Sequence, residues 1–129
     1  MTGRKNLSIL IRNLKPTLHE GQYVFVKCSS GSEIPLNDII GLFREEKGIT
    51  LIMERKKADK AGREYDFVAA WITLMVHSSL EAVGLTARVS EALAKEGISC
   101  NAVAAYHHDH IFVPYREVQR AMAVLSKIS

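Results

Sequence analysis

Three groups of residues in the sequence have the chemistry to hold a small molecule or an ion. The run His77-Ser78-Ser79-Leu80-Glu81-Ala82-Val83-Gly84-Leu85-Thr86 leads from an apolar stretch into an amphipathic one. Such a loop opens a helix N-terminus, where unpaired N–H groups and the helix dipole favour an anion such as a carboxylate. Gly84 lacks a Cβ and allows close approach by a ligand or a neighbouring strand. The Ser78 and Ser79 hydroxyls suit either that ligand or the capping of the helix and its preceding turn. Downstream, Ser99 and Asn101 lie in a stretch that reads as a strand, where asparagine is uncommon. Asn101 is suited to a ligand's amino group, and equally to the backbone of a nearby loop.

The third group, His107-His108-Asp109-His110, offers imidazoles and a carboxylate, the ligand types of zinc and iron. Neighbouring residues of a strand point to opposite faces, so this run needs a second chain to surround an ion. Asp109 is also an ordinary turn residue, and no metal site is assigned. Nucleophilic catalysis has less to stand on. Ser78 beside His77 is adjacency, whereas a Ser–His pair must be matched in space with an orienting acid. The GxSxG, Walker and GxGxxG patterns are absent. Glu45 and Glu46, side by side on a predicted helix, point in different directions and make a poor acid–base pair. The expectation is a chain that is not an enzyme and needs no cofactor.

The elements that must position these residues follow from composition and pattern. With 129 residues, 47% hydrophobic and 24% charged, the chain has room for one compact domain or two half-domains sharing a core. The longest apolar stretch, residues 67–76, is strand-length, and the polar start at residues 2–6 is not followed by a signal's apolar core. A cytoplasmic protein without membrane contact is expected. The net charge of +3 is mild, and the basic residues of the 55–63 stretch are diluted by Glu54, Asp59 and Glu64. That stretch reads as a solvated connector, and nucleic acid is not expected as a partner. Cys28 and Cys100 lack CxxC spacing and read as buried thiols.

An internal repeat organises the rest. Shifted by 49 positions, residues 23–52 align without a gap onto residues 72–101. Ser29-Ser30 falls on Ser78-Ser79, Leu36 on Leu85, Ile40 on Val89, and Gly48-Ile49-Thr50 on Gly97-Ile98-Ser99. Each copy reads as an apolar strand, a Ser-Ser loop, an amphipathic helix, a glycine and a second strand. The helices are read from Leu36, Ile39, Ile40 and Phe43, and from Leu85, Val89, Ala92 and Leu93, at spacings of three and four. Gly48 and Gly97 supply the stops. A turn at His108-Asp109, a strand over residues 110–115 and a helix over residues 117–127 complete the chain, and an N-terminal helix ends before Pro16. Two such units side by side form a joint sheet with helices on one face. The other face needs a partner, and a homodimer is the expected solution.

The runs VHSSLEAVGLTARVSEALAKEGISCNAVAA and HHDHIFVPY, with YVFV and FREEKGITL in the first copy, resemble small bacterial proteins built from tandem ACT-like domains. The resemblance covers nearly the whole chain. It implies an α+β, ferredoxin-like βαββαβ fold with an antiparallel sheet and helices packed on one face, divided into residues 1–65 and 66–129. It also implies a small-molecule ligand, commonly an amino acid, at a domain interface. Gly84-Leu85, Ala87 and Asn101 match the family's pattern of Gly-Leu at a helix start, a small residue and a polar strand residue. By the resemblance, Ser78, Ser79, Val83, Gly84 and Leu85 on one unit and Ser99, Asn101 and Val103 on an adjoining unit bind the ligand. The helix start would hold the carboxylate and Asn101 the amine. Val83 stands where many members have proline, and Pro35 occupies the first copy's equivalent of Gly84. The expected function is a regulatory, amino-acid-binding module that signals to a separate protein partner. The alternatives are a dimerising adaptor without ligand and a metal-dependent enzyme centred on His107, His108, Asp109 and His110.

Overall fold

The chain alternates stretches of β-branched and aromatic residues with amphipathic ones, and these become strands and helices of two compact units. The computed structural model describes residues 3–30, 33–76 and 83–128, and for residues 3–6 the backbone alone. In chain order the elements are α1 (Gly3–Arg12), β1 (Lys15–Leu18), β2 (Tyr23–Cys28), β3 (Gly41–Glu45), β4 (Gly48–Glu54) and α2 (Arg55–Lys60). They continue with β5 (Val68–Met75), α3 (Leu85–Lys95), β6 (Asn101–Ala104), β7 (Asp109–Pro114) and α4 (Val118–Ile128). One unit holds residues 1–19 and 70–129, the other residues 20–69.

In the larger unit β1 pairs antiparallel with β5, β7 lies beside β5, and β6 pairs antiparallel with β7. Alternation along the strands decides which residues meet the helices. Ala70, Ile72 and Leu74 of β5, with Ile111 and Val113 of β7, join Leu85, Val89 and Leu93 of α3 and Ala121 and Leu125 of α4 in one core. Ile11 of α1 belongs to the same cluster. α3 forms where expected because Leu85, Val89 and Leu93 make one buried stripe, while Arg88, Glu91 and Lys95 stay outside. Gly97 adopts φ +72° just past the helix, the left-handed conformation that glycine reaches at little cost. Strand β7 and helix α4 also fall where the sequence puts them, but the bend lies at residues 106–107, and Asp109, expected in the turn, opens β7 instead.

The smaller unit corrects the reading of the first copy. No helix spans Leu36 to Phe43. A single 3-10 turn, Leu36–Asp38, is followed by strand β3, which forms a hairpin with β4. Leu36 is 81% exposed and Phe43 71% exposed, so the apparent apolar stripe faces no core. Pro35, Gly41 and the β-branched pair Ile39-Ile40 all weigh against helix, and together they outweigh the spacing. Gly48 turns the hairpin at φ +139° instead of ending a helix. Ile34 and Ile39 pack into this core beside Val24, Val26, Leu51 and Met53.

The repeat offset of 49 also needs correcting. It sets Val24 on Thr73, yet Val24 belongs to its unit's core, while Ile72 and Leu74, not Thr73, belong to the other. A strand has a period of two, so an odd error exchanges its faces. The segment read as a connector is helix α2. Its Ala58 is fully buried, and Arg63 beyond it pairs with Glu33. One small residue gives no periodic signal, which is why the sequence hides it.

Replacement of Phe43 by alanine tests the corrected hairpin by denaturant unfolding. An exposed strand residue predicts a change within about 0.5 kcal/mol, whereas a buried helical position would lose about 3–5 kcal/mol.

Candidate functional site

α3 begins at Gly84, whose φ of +97° and carbonyl bond from the Arg88 N–H (2.9 Å) form the helix start. Among the described residues no side chain caps it, and the first-turn N–H groups of a helix favour an anion. Leu85 is buried in the core and Val83 is exposed. Ser78 and Ser79 lie outside the described residues. A Cβ on Gly84 would meet Leu7 Cδ2 of α1 at 3.0 Å, so that helix covers the glycine's open side.

Ser99 is exposed ahead of β6, and all four residues of β6, including Asn101 and Val103, are exposed. The Asn101 side-chain nitrogen donates to the Phe112 carbonyl at 3.3 Å. Of the two uses open to it from sequence, the structure displays the bond to neighbouring backbone. The four residues of the histidine run diverge. His110 Nδ1 meets Trp71 and Thr73, His107 stacks edge-on with Tyr106, and His108 Nδ1 is buried with no hydrogen-bond partner among the described residues. Among the described residues no group of three His, Cys, Asp or Glu side chains is arranged to hold a metal.

Two features escaped the sequence. The first is a carboxylate-holding loop in the smaller unit. Directly after β2, Glu33 Oε1 accepts from the Ser29 N–H (3.1 Å), the Ser29 hydroxyl (3.0 Å) and the Ser30 N–H (3.1 Å). Arg63 pairs with the other carboxylate oxygen. The Ser29 bonds first, and Arg63 next, hold the Glu33 carboxyl below its ordinary range. The Ser-Ser pair is visible in the sequence, but nothing in its spacing marks Glu33 as its partner. The second is an aromatic and polar network, His19–Trp71–Thr73–His110, on the sheet face turned away from the helices of the larger unit. His19 and Trp71 are far apart in sequence, and only the register of β1 on β5 brings them together.

Three residues of the basic stretch are paired within their own unit. Arg55 donates to Tyr65 and Gln22, Lys57 to Asp38, and Arg63 pairs with Glu33. Hydrogen bonding to Tyr65 raises the Arg55 pKa, and bonding to Asp38 raises that of Lys57. Cys28 and Cys100 are free thiols, both pushed up by burial and thus poor nucleophiles.

These units, each a small sheet with helices against it, define an α+β regulatory-domain class. ACT domain family models match residues 2–70 and residues 67–127, and the chain belongs to the ACT domain family, a class of ligand-binding regulatory modules. It is similar to a Vibrio cholerae protein of unknown function, a possible transport protein, at 42% identity, 98% coverage of both chains and a TM-score of 0.84. A protein from Agobacterium tumefaciens shares the fold at 16% identity and a TM-score of 0.73, covering 89% of this chain and 88% of that one. So does the ligand-free regulatory subunit of aspartate kinase from Thermus thermophilus, at 9% identity and a TM-score of 0.66, covering 88% and 95%. No curated protein matches the chain. No helix among the described residues is long and apolar enough to cross a membrane.

Substituting Gly84 with alanine combines positive-φ strain with the Leu7 contact, and costs about 1–3 kcal/mol in unfolding measurements. Adding Leu7→Ala to that variant recovers the steric part and leaves the backbone part, so the two changes are non-additive.

Proposed function

We propose that this chain is a sensing module that binds a small amino acid or a similar carboxylate-bearing metabolite as a cytoplasmic homodimer. It then passes the bound state to a separate protein partner. The observation that carries the reading is the Ser29–Glu33 contact, in which the loop after a unit's first strand closes two N–H groups and a hydroxyl around a carboxylate. In the smaller unit that carboxylate belongs to the chain. In the larger unit the corresponding loop, with Ser78 and Ser79, takes it from a free ligand near the start of α3. Val83, Gly84 and Leu85 shape that side. Ser99, Asn101 and Val103 of an adjoining copy shape the other, with Asn101 facing the amine. The repeats divide near residue 65 in this reading. Exposed Leu36, Leu42 and Phe43 on the smaller unit support an oligomer, since apolar side chains of that size gain by burial.

A second reading is an adaptor that dimerises without a ligand. Leu7 against Gly84 favours it. So does the spacing of Ser78 and Glu81, which repeats that of Ser30 and Glu33 and makes a chain carboxylate available to the loop.

Calorimetric titration and thermal shift with the twenty amino acids, on the chain and on a Glu81→Ala variant, separate the two. The sensing reading expects saturable heat for at least one of them, with stabilisation of about 2.7 kcal/mol at a hundredfold excess over Kd. Silence from both proteins leaves the adaptor.

A further inference from the structure

His19, Trp71, Thr73 and His110 form a hydrogen-bonded group in which one arrangement of protons puts a hydrogen in every close pair, the lone pair of His110 Nδ1 being shared by two donors. The Trp71 indole can only donate, and its Nε1–H points at His110 Nδ1 from 3.0 Å. That nitrogen must therefore be unprotonated, which puts the His110 proton on Nε2. The Thr73 hydroxyl lies 3.0 Å from the same Nδ1 and 2.7 Å from His19 Nε2. It has one proton to give. Every close pair has a hydrogen between its atoms only if His19 Nε2–H donates to Thr73 and Thr73 donates to His110. His19 also stacks on Trp71 with ring centroids 3.5 Å apart and an interplanar angle of 11°, and its N–H donates to the Trp71 carbonyl at 2.9 Å.

The two histidines respond differently to a proton. His19 gains its second proton on Nδ1, keeps its donation to Thr73, and as a cation still favours the indole face. His110 gains its proton on Nδ1, where it confronts the Trp71 N–H donor head on. The Thr73 hydroxyl can turn; the indole cannot. We propose that this network is a proton-released latch, fastening the end of β1 to β5 and β7 in neutral solution and letting it go in mild acid.

The surroundings agree in direction. Burial, then the charges of His19 and His108, lower the His110 pKa, while Asp109 opposes them. Burial lowers that of His19. From β1, Lys15 shares this face through its register with Met75, while β6 presents uncharged Val103 opposite His110. Both folded values lie below the ordinary 6.5. The unfolded chain therefore binds protons more readily, and the latch's contribution is present above pH 6.5 and lost as pH falls through the folded values.

Trp71 is the only tryptophan and reports directly. Imidazole nitrogen shifts by NMR at neutral pH come first, on the intact chain: an unprotonated Nδ1 on His110 is expected, and a protonated one overturns the proposal without any variant. Acidification is then expected to change Trp71 fluorescence in one step with a midpoint below 6.5. The His19 amide should lose hydrogen-exchange protection over the same range. His110→Asn keeps an acceptor near the Nδ1 position and should abolish the step. His19→Gln keeps a donor to Thr73, removes a like charge and should raise the midpoint. Fluorescence that is flat down to pH 5 in the folded chain, or a step unchanged in His110→Asn, sinks the latch.

Discussion

Successive side chains of a strand must leave on opposite faces, and β5 shows what that requirement imposes. Ala70, Ile72 and Leu74 go beneath α1, α3 and α4, so Trp71 and Thr73 have no choice but the reverse side. The reverse side has no helices of its own unit to cover it. Thr73 is nonetheless only 4% exposed and Phe112 1%. Rings cover part of it: His19 lies flat on Trp71, and Trp71 stacks against Phe112 at 6.2 Å. Once aromatic rings replace a helical layer, their polar edges become part of the interior and must be hydrogen-bonded to one another. The histidine–threonine–indole chain satisfies the polar edges of the rings on that face.

The smaller unit solves a different shortage. With a 3-10 turn where the larger unit has α3, it has less apolar surface to bury, and its core is filled by Ile34, Ile39, Tyr65 and Val68 around the β2–β4 pair. Its loops are held by charge. Glu33 ties the end of β2 to Arg63, Lys57 reaches Asp38 beside the 3-10 turn, and Arg55 joins Gln22 and Tyr65. These pairs are exposed or half-exposed, so each contributes little stability alone. Their value is positional, since they fix where the hairpin and α2 sit on the strands. Three of the cations in the basic stretch, Arg55, Lys57 and Arg63, are thus paired within the unit.

Where backbone propensity and packing agreed, the sequence was readable. α3 is an instance: Leu85, Val89 and Leu93 made one stripe, and Gly84 and Gly97 bracketed it with positive φ. The β7–α4 end was equally plain. Legibility failed where two local signals conflicted, as at Leu36 to Phe43, where helical spacing met Pro35 and Gly41. It failed again where a helix buries a single alanine, as in α2. The repeat was real in kind but out of phase, because few identities cannot distinguish an even offset from an odd one. Of the candidate site, Gly84 was placed at its helix start and Asn101 at the start of its strand. The His19–Trp71 stack had no sequence signal, since it depends on register between segments some fifty residues apart.

The contact between Glu33 and the Ser29–Ser30 loop bears on whether the two units can serve the same purpose. A carboxylate tethered a few residues from its loop is presented at an effective concentration that short flexible links place in the millimolar range or above. A free carboxylate must exceed that, with no better set of donors, before it displaces Glu33. Arg63 adds a charge-assisted partner to the tethered group and tilts the competition further. The smaller unit is therefore committed to its own side chain under ordinary conditions. The proposed response to a dissolved carboxylate therefore belongs to the larger unit, where among the described residues α3 begins without a side-chain cap. One copy thus has its loop closed by an internal acid, and the proposed sensing role rests on the other.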